Sequence, residues 1–361
     1  MRRLDLPPSA DGERADAPGD MATADGPAFS VLVAAYNHAE FIGEALDSIA
    51  AQTVDDYEIV VVDDGSTDRT PEILETWRAG FARHHANRVV IARVANGGQS
   101  RAYEHGIALC TGRFVCLLDS DDRWLPTKLE VVREAVRREP HAVMICHPVR
   151  VMGPTGRPTS QLRPHRAALS RGALRDQIRR TGRIVAAVTS GVTVRADVLR
   201  AIVPMPTREY RFGADGYITT AAGLAGHVVA LPETLAMYRL HPGGQYVRRM
   251  LSDDGPRIAM EIHSSIARHL GFEDALNRSS YYARHAFAEV KFHDGARAQL
   301  AAYVRLIRAT ALDPTFSIAT RIALAAVWTI GLLAPRQLFR RLWQAFQRRH
   351  TGIDRALSGA A

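Results

Sequence analysis

The chain has 361 residues, 47% hydrophobic and 23% charged, the balance of an ordinary globular protein with a real core. Its formal charge of +8 suits anionic partners (nucleotide diphosphates, acidic lipid or nucleic acid) without choosing among them. Three cysteines, Cys110, Cys116 and Cys146, show no CxxC or Cys/His spacing, so neither a disulfide framework nor a zinc site is implied, and a reducing compartment fits best.

Residues 1–27 are rich in Asp, Gly, Ala and Pro, with no apolar stretch after Arg2 and Arg3; they read as a disordered leader rather than a signal peptide. From Phe29 to about Arg150, apolar runs alternate with helical periodicity, the pattern of an α/β unit with a largely parallel sheet. Phe29–Ala35 is a buried strand, and Phe41, Ile42, Ala45, Leu46 and Ile49 then share one helical face. Tyr57–Val62 is a second strand. Thr70-Pro71-Glu72 starts a helix, with a hydroxyl cap, a first-turn proline and an acid at the positive dipole end. Further strands follow at Arg88–Val94, Arg113–Leu118 and His141–His147, with helices at Gln99–Cys110 and after Pro126.

Residues 151–249 are less periodic. About 253–310 reads as helices, including a hairpin. Between Pro314 and Ile353 there is no Asp or Glu, while arginines recur at 321, 336, 340, 341, 348 and 349. Ile322–Ala334 is apolar but too short for the roughly 20 residues of a membrane-crossing helix. Beyond Pro335, Leu338, Phe339, Leu342, Trp343 and Phe346 alternate with Arg in the manner of a basic amphipathic helix at a membrane interface. Its alternative is a helix packed on the rest of the protein with a solvated basic face.

Acidic residues collect where strands end. Asp119, Asp121 and Asp122 directly follow an apolar strand, a costly place for three charges unless a cation or water meets them. Alternate carboxylates there can hold Mg2+ or Mn2+ and so neutralise a diphosphate; the plain alternative is a solvated acidic turn in which Asp122 caps the next helix. Asp63-Asp64-Gly65-Ser66-Thr67-Asp68 offers acceptors for a base edge or ribose, or else a helix cap. Tyr36-Asn37, at the end of the first strand, is placed for a nucleotide base or for core packing.

Four segments in order, Val33-Ala-Ala-Tyr-Asn-His38, Val61-Val-Asp-Asp-Gly-Ser-Thr-Asp68, Asn96-Gly-Gly-Gln-Ser100 and Leu117-Leu-Asp-Ser-Asp-Asp-Arg-Trp124, resemble the nucleotide-binding half of family-2 inverting glycosyltransferases. The resemblance implies a GT-A fold: a Rossmann-like sheet over 28–150, an acceptor-binding half over 151–250 and a helical region with the basic tail over 251–361. It implies nucleotide contacts from Ala35, Tyr36, Asn37, Asp63, Asp64 and Asp119, and a metal site at Asp119 and Asp121. Where many members carry Arg-Asn, this chain has Tyr103-Glu104, so donor contacts through that helix do not carry over.

The second half resembles the same family through Thr189-Ser-Gly191, Val194–Leu199, Gly213-Ala-Asp-Gly-Tyr217 and Leu235–His241. The position of Asp215 is that of the family's general base, its alternative being a helix cap. Arg239 or His241 is expected at the diphosphate, with His241 completing the metal shell. No QxxRW motif follows, so a single sugar addition is expected, from a UDP-sugar to a glycan or lipid-linked acceptor, in polysaccharide biosynthesis, with the protein in the cytoplasm at the inner face of the cell membrane. The alternative is a nucleotide-sugar-binding protein without catalysis. A nucleotidyltransferase lacks its Gly-rich loop here, a nicotinamide enzyme its GxGxxG, and no nucleic-acid module is recognisable.

Overall fold

A computed structural model of the protein describes residues 26–83, 86–164, 168–206, 213–244, 247, 252, 254–313 and 316–351, with side chains as far as 346; nearly all of the expected leader lies outside them. The described chain divides into two units, one built from residues up to 175 and 184–239, the other from 176–183 and 240 onward.

The first unit holds twelve strands: β1 (Phe29–Ala35), β2 (Tyr57–Asp63), β3 (Val89–Arg93), β4 (Phe114–Asp119), β5 (Arg123–Trp124), β6 (Ala142–Cys146), β7 (Val149–Met152), β8 (Pro158–Arg163), β9 (Gly172–Ala173), β10 (Val192–Arg195), β11 (His227–Ala230) and β12 (Ala236–Arg239). Eight form one sheet in the order β3-β2-β1-β4-β10-β6-β11-β9, and four a smaller sheet, β5-β12-β7-β8. β1 pairs in parallel with both β2 and β4, setting Ala35 beside Asp63 and Ala34 beside Asp119. Strands inside a parallel sheet are covered on both faces, which is why β1, β2 and β4 read as continuous apolar runs rather than alternating ones. β10 runs antiparallel to β4 and β6. Its amino end, with the turn Thr189–Gly191 ahead of it, therefore reaches the same edge as the carboxyl ends of the parallel strands. β6, from before residue 150, lies between β10 and β11, from after it.

Helices α1 (Ile42–Ala50), α2 (Thr70–Phe81), α3 (Gln99–Leu109) and α4 (Lys128–Arg138) cross between strands. The cap of α2 differs from the sequence expectation. Thr70 is already helical and its hydroxyl accepts the His38 N–H, while Asp68 receives the Thr70 N–H at 2.9 Å. Asp122 caps no helix, because α4 begins at Lys128. The core of this unit gathers Phe29, Val31, Leu46, Ile59, Phe114 and Leu129. All three cysteines are free and buried.

α5 (Arg175–Thr181) leads into the second unit, α6 (Ala196–Ile202) and α7 (Ala214–Ala225) belong to the first, and α8 (Gly255–Leu270), α9 (Ser280–His293), α10 (Ala296–Leu312), α11 (Ile318–Leu333) and α12 (Arg336–Thr351) make the second unit helical. The expected hairpin is α9 with α10. A separate aromatic-rich cluster, with Phe287, Phe292, Leu306, Trp328, Phe339 and Trp343 at its centre, holds α9 to α12 together.

Candidate active site

Two loops at the carboxyl edge are locked by their own side chains. Asn37 adopts φ 52°, a left-handed turn that Asn tolerates better than most residues. Its side-chain carbonyl accepts the Thr67 N–H at 2.8 Å, and its own N–H donates to Ser66 Oγ at 2.9 Å. The end of β1 is thereby tied to the loop after β2. Asp64, buried, accepts the N–H groups of Gly97 (2.7 Å) and Gly98 (2.8 Å) and the Asn96 amide (3.1 Å). Gly65 must be glycine: its φ is 71° and a Cβ there would lie 2.9 Å from the Asn96 nitrogen. Asp63 differs from its neighbour. One oxygen accepts the Ser66 N–H at 3.0 Å; the other, buried, has no hydrogen bond and stands 3.3 Å from the Arg93 guanidinium. Tyr36 is 40% exposed beside this loop, which removes the core-packing reading.

Beyond β4, the four residues Asp119–Asp122 divide their tasks. Asp119 accepts from Gln99 Nε2 at 3.1 Å and from the Tyr103 hydroxyl at 3.3 Å. Burial, joined by the negative charges of Asp121 and Asp215, pushes its carboxyl up to about 7. Tyr103 is fully buried; burial and the carboxylates of Asp119 and Asp215 push its hydroxyl well above its ordinary range. Asp215 thus belongs to this electrostatic cluster although nearly a hundred residues separate it from Asp119 in the chain. It is not the cap of α7, a position taken by Gly213 at φ 86°. Ser120 hydrogen-bonds His38 Nδ1 at 2.7 Å. A ring nitrogen of His38 lies within 4.8 Å of an Asp121 carboxylate oxygen, a mixed nitrogen and oxygen donor pair facing Asp119's charge, chemistry that fits a divalent cation.

Asp122 is turned inward. It accepts Ser190 Oγ at 2.5 Å and the Arg239 N–H at 2.7 Å, and burial with the charges of Asp121 and Asp119 holds it well above the carboxylate range. Below it, Lys128 is fully buried over the Trp124 ring and donates to the Ser190 carbonyl at 2.8 Å; burial brings its ammonium down to about 7.

Residues 30–202 match the family described as glycosyl transferase family 2. An uncharacterized glycosyltransferase of Nostoc sp. is 32% identical over 219 residues, 60% of this chain and 66% of that protein. The chain therefore spans slightly under two thirds of that relative's length, and 59% of an uncharacterized Mycobacterium bovis relative that is 31% identical. Among solved structures, S. aureus TarS 1–349 in complex with UDP-GlcNAc superposes with a TM-score of 0.54 at 19% identity, over 89% of this chain and 92% of that one. The mannosyltransferase PcManGT from Pyrobaculum calidifontis, in complex with GDP-Man and Mn2+, gives 0.50 at 19% identity, over 94% and 90%. The chain carries a glycosyl transferase family 2 region, residues 30–202. Its fold is GT-A, the expectation from the four sequence motifs.

In this fold the edge of the sheet collects Ala35, Tyr36, Asn37, Asp63, Asp64, Asp119 and Asp121 from three parallel strands, with Asp215 joining them from α7. Arg239 is held differently from the sequence expectation. Its guanidinium is 2% exposed, pairs with Glu44, and donates to the carbonyls of Asp121 (2.7 Å) and Pro154 (2.8 Å) over the Phe41 ring. A diphosphate would have to displace Glu44 to reach it. His241 belongs to the second unit, where it is buried beside Gly243 and Gly244.

Several site residues escaped the sequence reading. His38 stood inside a quoted motif, and its place next to an exposed Tyr-Asn pair was the available signal. Tyr103 occupies the position where the family pattern fails, and its hydroxyl reaches Asp119. Ser190 lay in a matched Thr-Ser-Gly segment. Gln99 stood in the quoted Asn96–Ser100 motif, whereas Glu44 and Lys128 had no local signal, since only the folded sheet brings them to the Asp119–Asp122 loop.

Proposed function

We propose that this protein transfers one sugar, with inversion, from a UDP-sugar to a hydroxyl of a glycan or lipid-linked acceptor. The carrying observation is the convergence of Asp119, Asp121 and Asp215: beside burial, the charges of Asp121 and Asp215, one from each sequence half, raise the pKa of Asp119 at one edge of the sheet. The UDP and UDP-GlcNAc complexes of TarS support a nucleotide-sugar donor in the family.

Asp215 takes the proton from the acceptor hydroxyl as that oxygen attacks the anomeric carbon, and the bond to the diphosphate breaks on the opposite face. Asp63 offers its unbonded oxygen to an N–H of the base, as uracil presents at N3. Tyr36 supplies a ring for the base, Ala35 and Asn37 line the pocket, and Asp64 holds the Asn96–Gly98 turn against the ribose. Asp121 and His38, with Asp119 and with His241 two residues past Arg239 in the chain, are the proposed holders of Mn2+ or Mg2+. When bound, such an ion supplies positive charge to the leaving diphosphate; PcManGT carries Mn2+. Arg239 positions the loop through its bonds to the Asp121 and Pro154 carbonyls. Peripheral attachment at the inner, cytoplasmic face of the cell membrane is proposed on the acid-free, Arg-rich tail.

Calorimetric titration of UDP, GDP and dTDP, with and without Mn2+, tests the donor. Metal-dependent UDP binding is expected, lost in Asp121→Asn. Asp215→Asn is expected to keep UDP affinity while lowering turnover by roughly 10²–10⁴-fold. UDP binding without turnover in the unaltered protein, whatever acceptor is offered, would favour the non-catalytic binding reading.

A further inference from the structure

The helical unit leaves one face apolar and uncovered. On α11, Ile318 is 74% exposed, Ile322 67%, Ile330 60% and Leu333 78%. At about 100° per residue these four fall within one third of the helix circumference. The opposite side is fixed inside: Trp328 is buried, and a Cβ on Gly331 would lie 3.0 Å from the Phe339 ring. The orientation of α11 is therefore set by packing, and its outward face is apolar by sequence. A patch of this kind is uncommon on a soluble surface unless something covers it.

The residues expected from sequence to meet the membrane divide differently. Phe339 and Trp343 of α12 are 3% and 4% exposed, enclosed by Phe292, Trp328 and each other. Among the described side chains of that helix, the large apolar ones that remain exposed are Leu338 and Leu342. No described helix is long and apolar enough to cross a bilayer; the 16 residues of α11 extend about 24 Å, short of the roughly 30 Å hydrocarbon core. The segment from Pro314 to Ile353 contains no acid, and Arg336 and Arg341 are exposed. An apolar stripe flanked only by cations matches an anionic lipid surface better than a protein partner with mixed charge.

We propose that α11 is the membrane-contacting element of this protein, its Ile318, Ile322, Ile330 and Leu333 face sinking into the headgroup and acyl boundary of an anionic bilayer while Arg336 and Arg341 meet lipid phosphates. This rests on the peripheral-membrane reading above and moves the contact from the aromatic residues of α12 to the aliphatic face of α11.

Co-sedimentation of the full chain with phosphatidylcholine vesicles containing 30–40% phosphatidylglycerol (about one third anionic) tests it, beside Ile322→Glu/Leu333→Glu. Both residues are exposed, so the variant is expected to fold; unchanged circular dichroism and UDP affinity check this. The expected result is binding that falls with salt and drops at least about tenfold in the variant. Full binding by the variant would overturn the assignment to α11 while leaving membrane attachment standing. No binding by the unaltered protein would overturn both. Light scattering showing a dimer that the variant dissociates, without vesicle binding, would give the face to a second copy and also overturn the proposal.

Discussion

Glu58 is enclosed at 1% exposure, yet its oxygens meet Ser30 Oγ at 2.6 Å, the Thr111 N–H and the Arg88 guanidinium. Burial alone would raise its pKa, but these bonds outweigh burial and hold the carboxyl below its ordinary value. A lowered native pKa means that the unfolded chain binds the proton more readily. The stability from Glu58 is therefore complete above the unfolded value of about 4.3 and is lost as pH falls through the lower native value. Glu58→Gln is expected to cost about 2–4 kcal/mol at pH 7 and to flatten the acid side of the stability profile in urea titrations. An unaltered acid side would mean that other carboxylates set it. The same comparison of oxygens separates Asp63 from Asp64: adjacent in sequence, one keeps an oxygen with no hydrogen bond beside Arg93 and the other commits both oxygens to a turn.

Among the elements, α3 lies so close to β1 that Gly106 has no room for a methyl group: a Cβ there would stand 2.2 Å from Leu32 Cδ1. Gly106→Ala is expected to lower stability by about 1–3 kcal/mol through overpacking, despite alanine's better helix propensity. Adding Leu32→Ala should make the pair less than additive in thermal melts; simple additivity would place the clash elsewhere. This helix also carries Gln99 and Tyr103 to Asp119, so its closeness to the sheet bears on the site. The central strands were legible because a strand covered on both faces is written as an unbroken apolar run, as Phe29–Ala35 and Phe114–Leu118 show. Asp119 and Asp121 were legible because charges after such a run require an explanation. β5 and β9, two residues each, and the pairing of β10 with β4 were not, since their register is set by partners far away in sequence. The hold on Arg239 was not legible for the same reason: a motif names an arginine, but only packing reveals that Glu44 pairs with it.

At the scale of the whole molecule, the two units have separate hydrophobic clusters, one around β1, β2 and β4, the other around Phe287, Leu306 and Trp343. Leu306, 1% exposed, is expected on truncation to Ala to cost about 2–5 kcal/mol in the helical cluster while leaving UDP affinity within about twofold. A large fall in UDP affinity, measured by calorimetry, would show that nucleotide binding depends on the helical core. Cutting the chain after Thr310 would remove Trp328, Phe339 and Trp343 from that cluster, so point substitutions on α11 separate membrane contact from folding more cleanly than truncation.

The placement of β6 between β10 and β11 also bears on how such proteins can be recombined. Ile145 neighbours Thr193 on one side and Val229 on the other, so the chain before residue 150 donates a central plank to a floor otherwise laid there by the chain after it. A chimera that exchanges residues 151–239 with a relative's inherits two foreign seams along that plank, at every pleat. Grafting short segments at the sheet edge, such as the Thr189–Gly191 turn that carries Ser190 and the first turn of α7 that carries Asp215, therefore disturbs fewer strand seams than exchange of the whole second half.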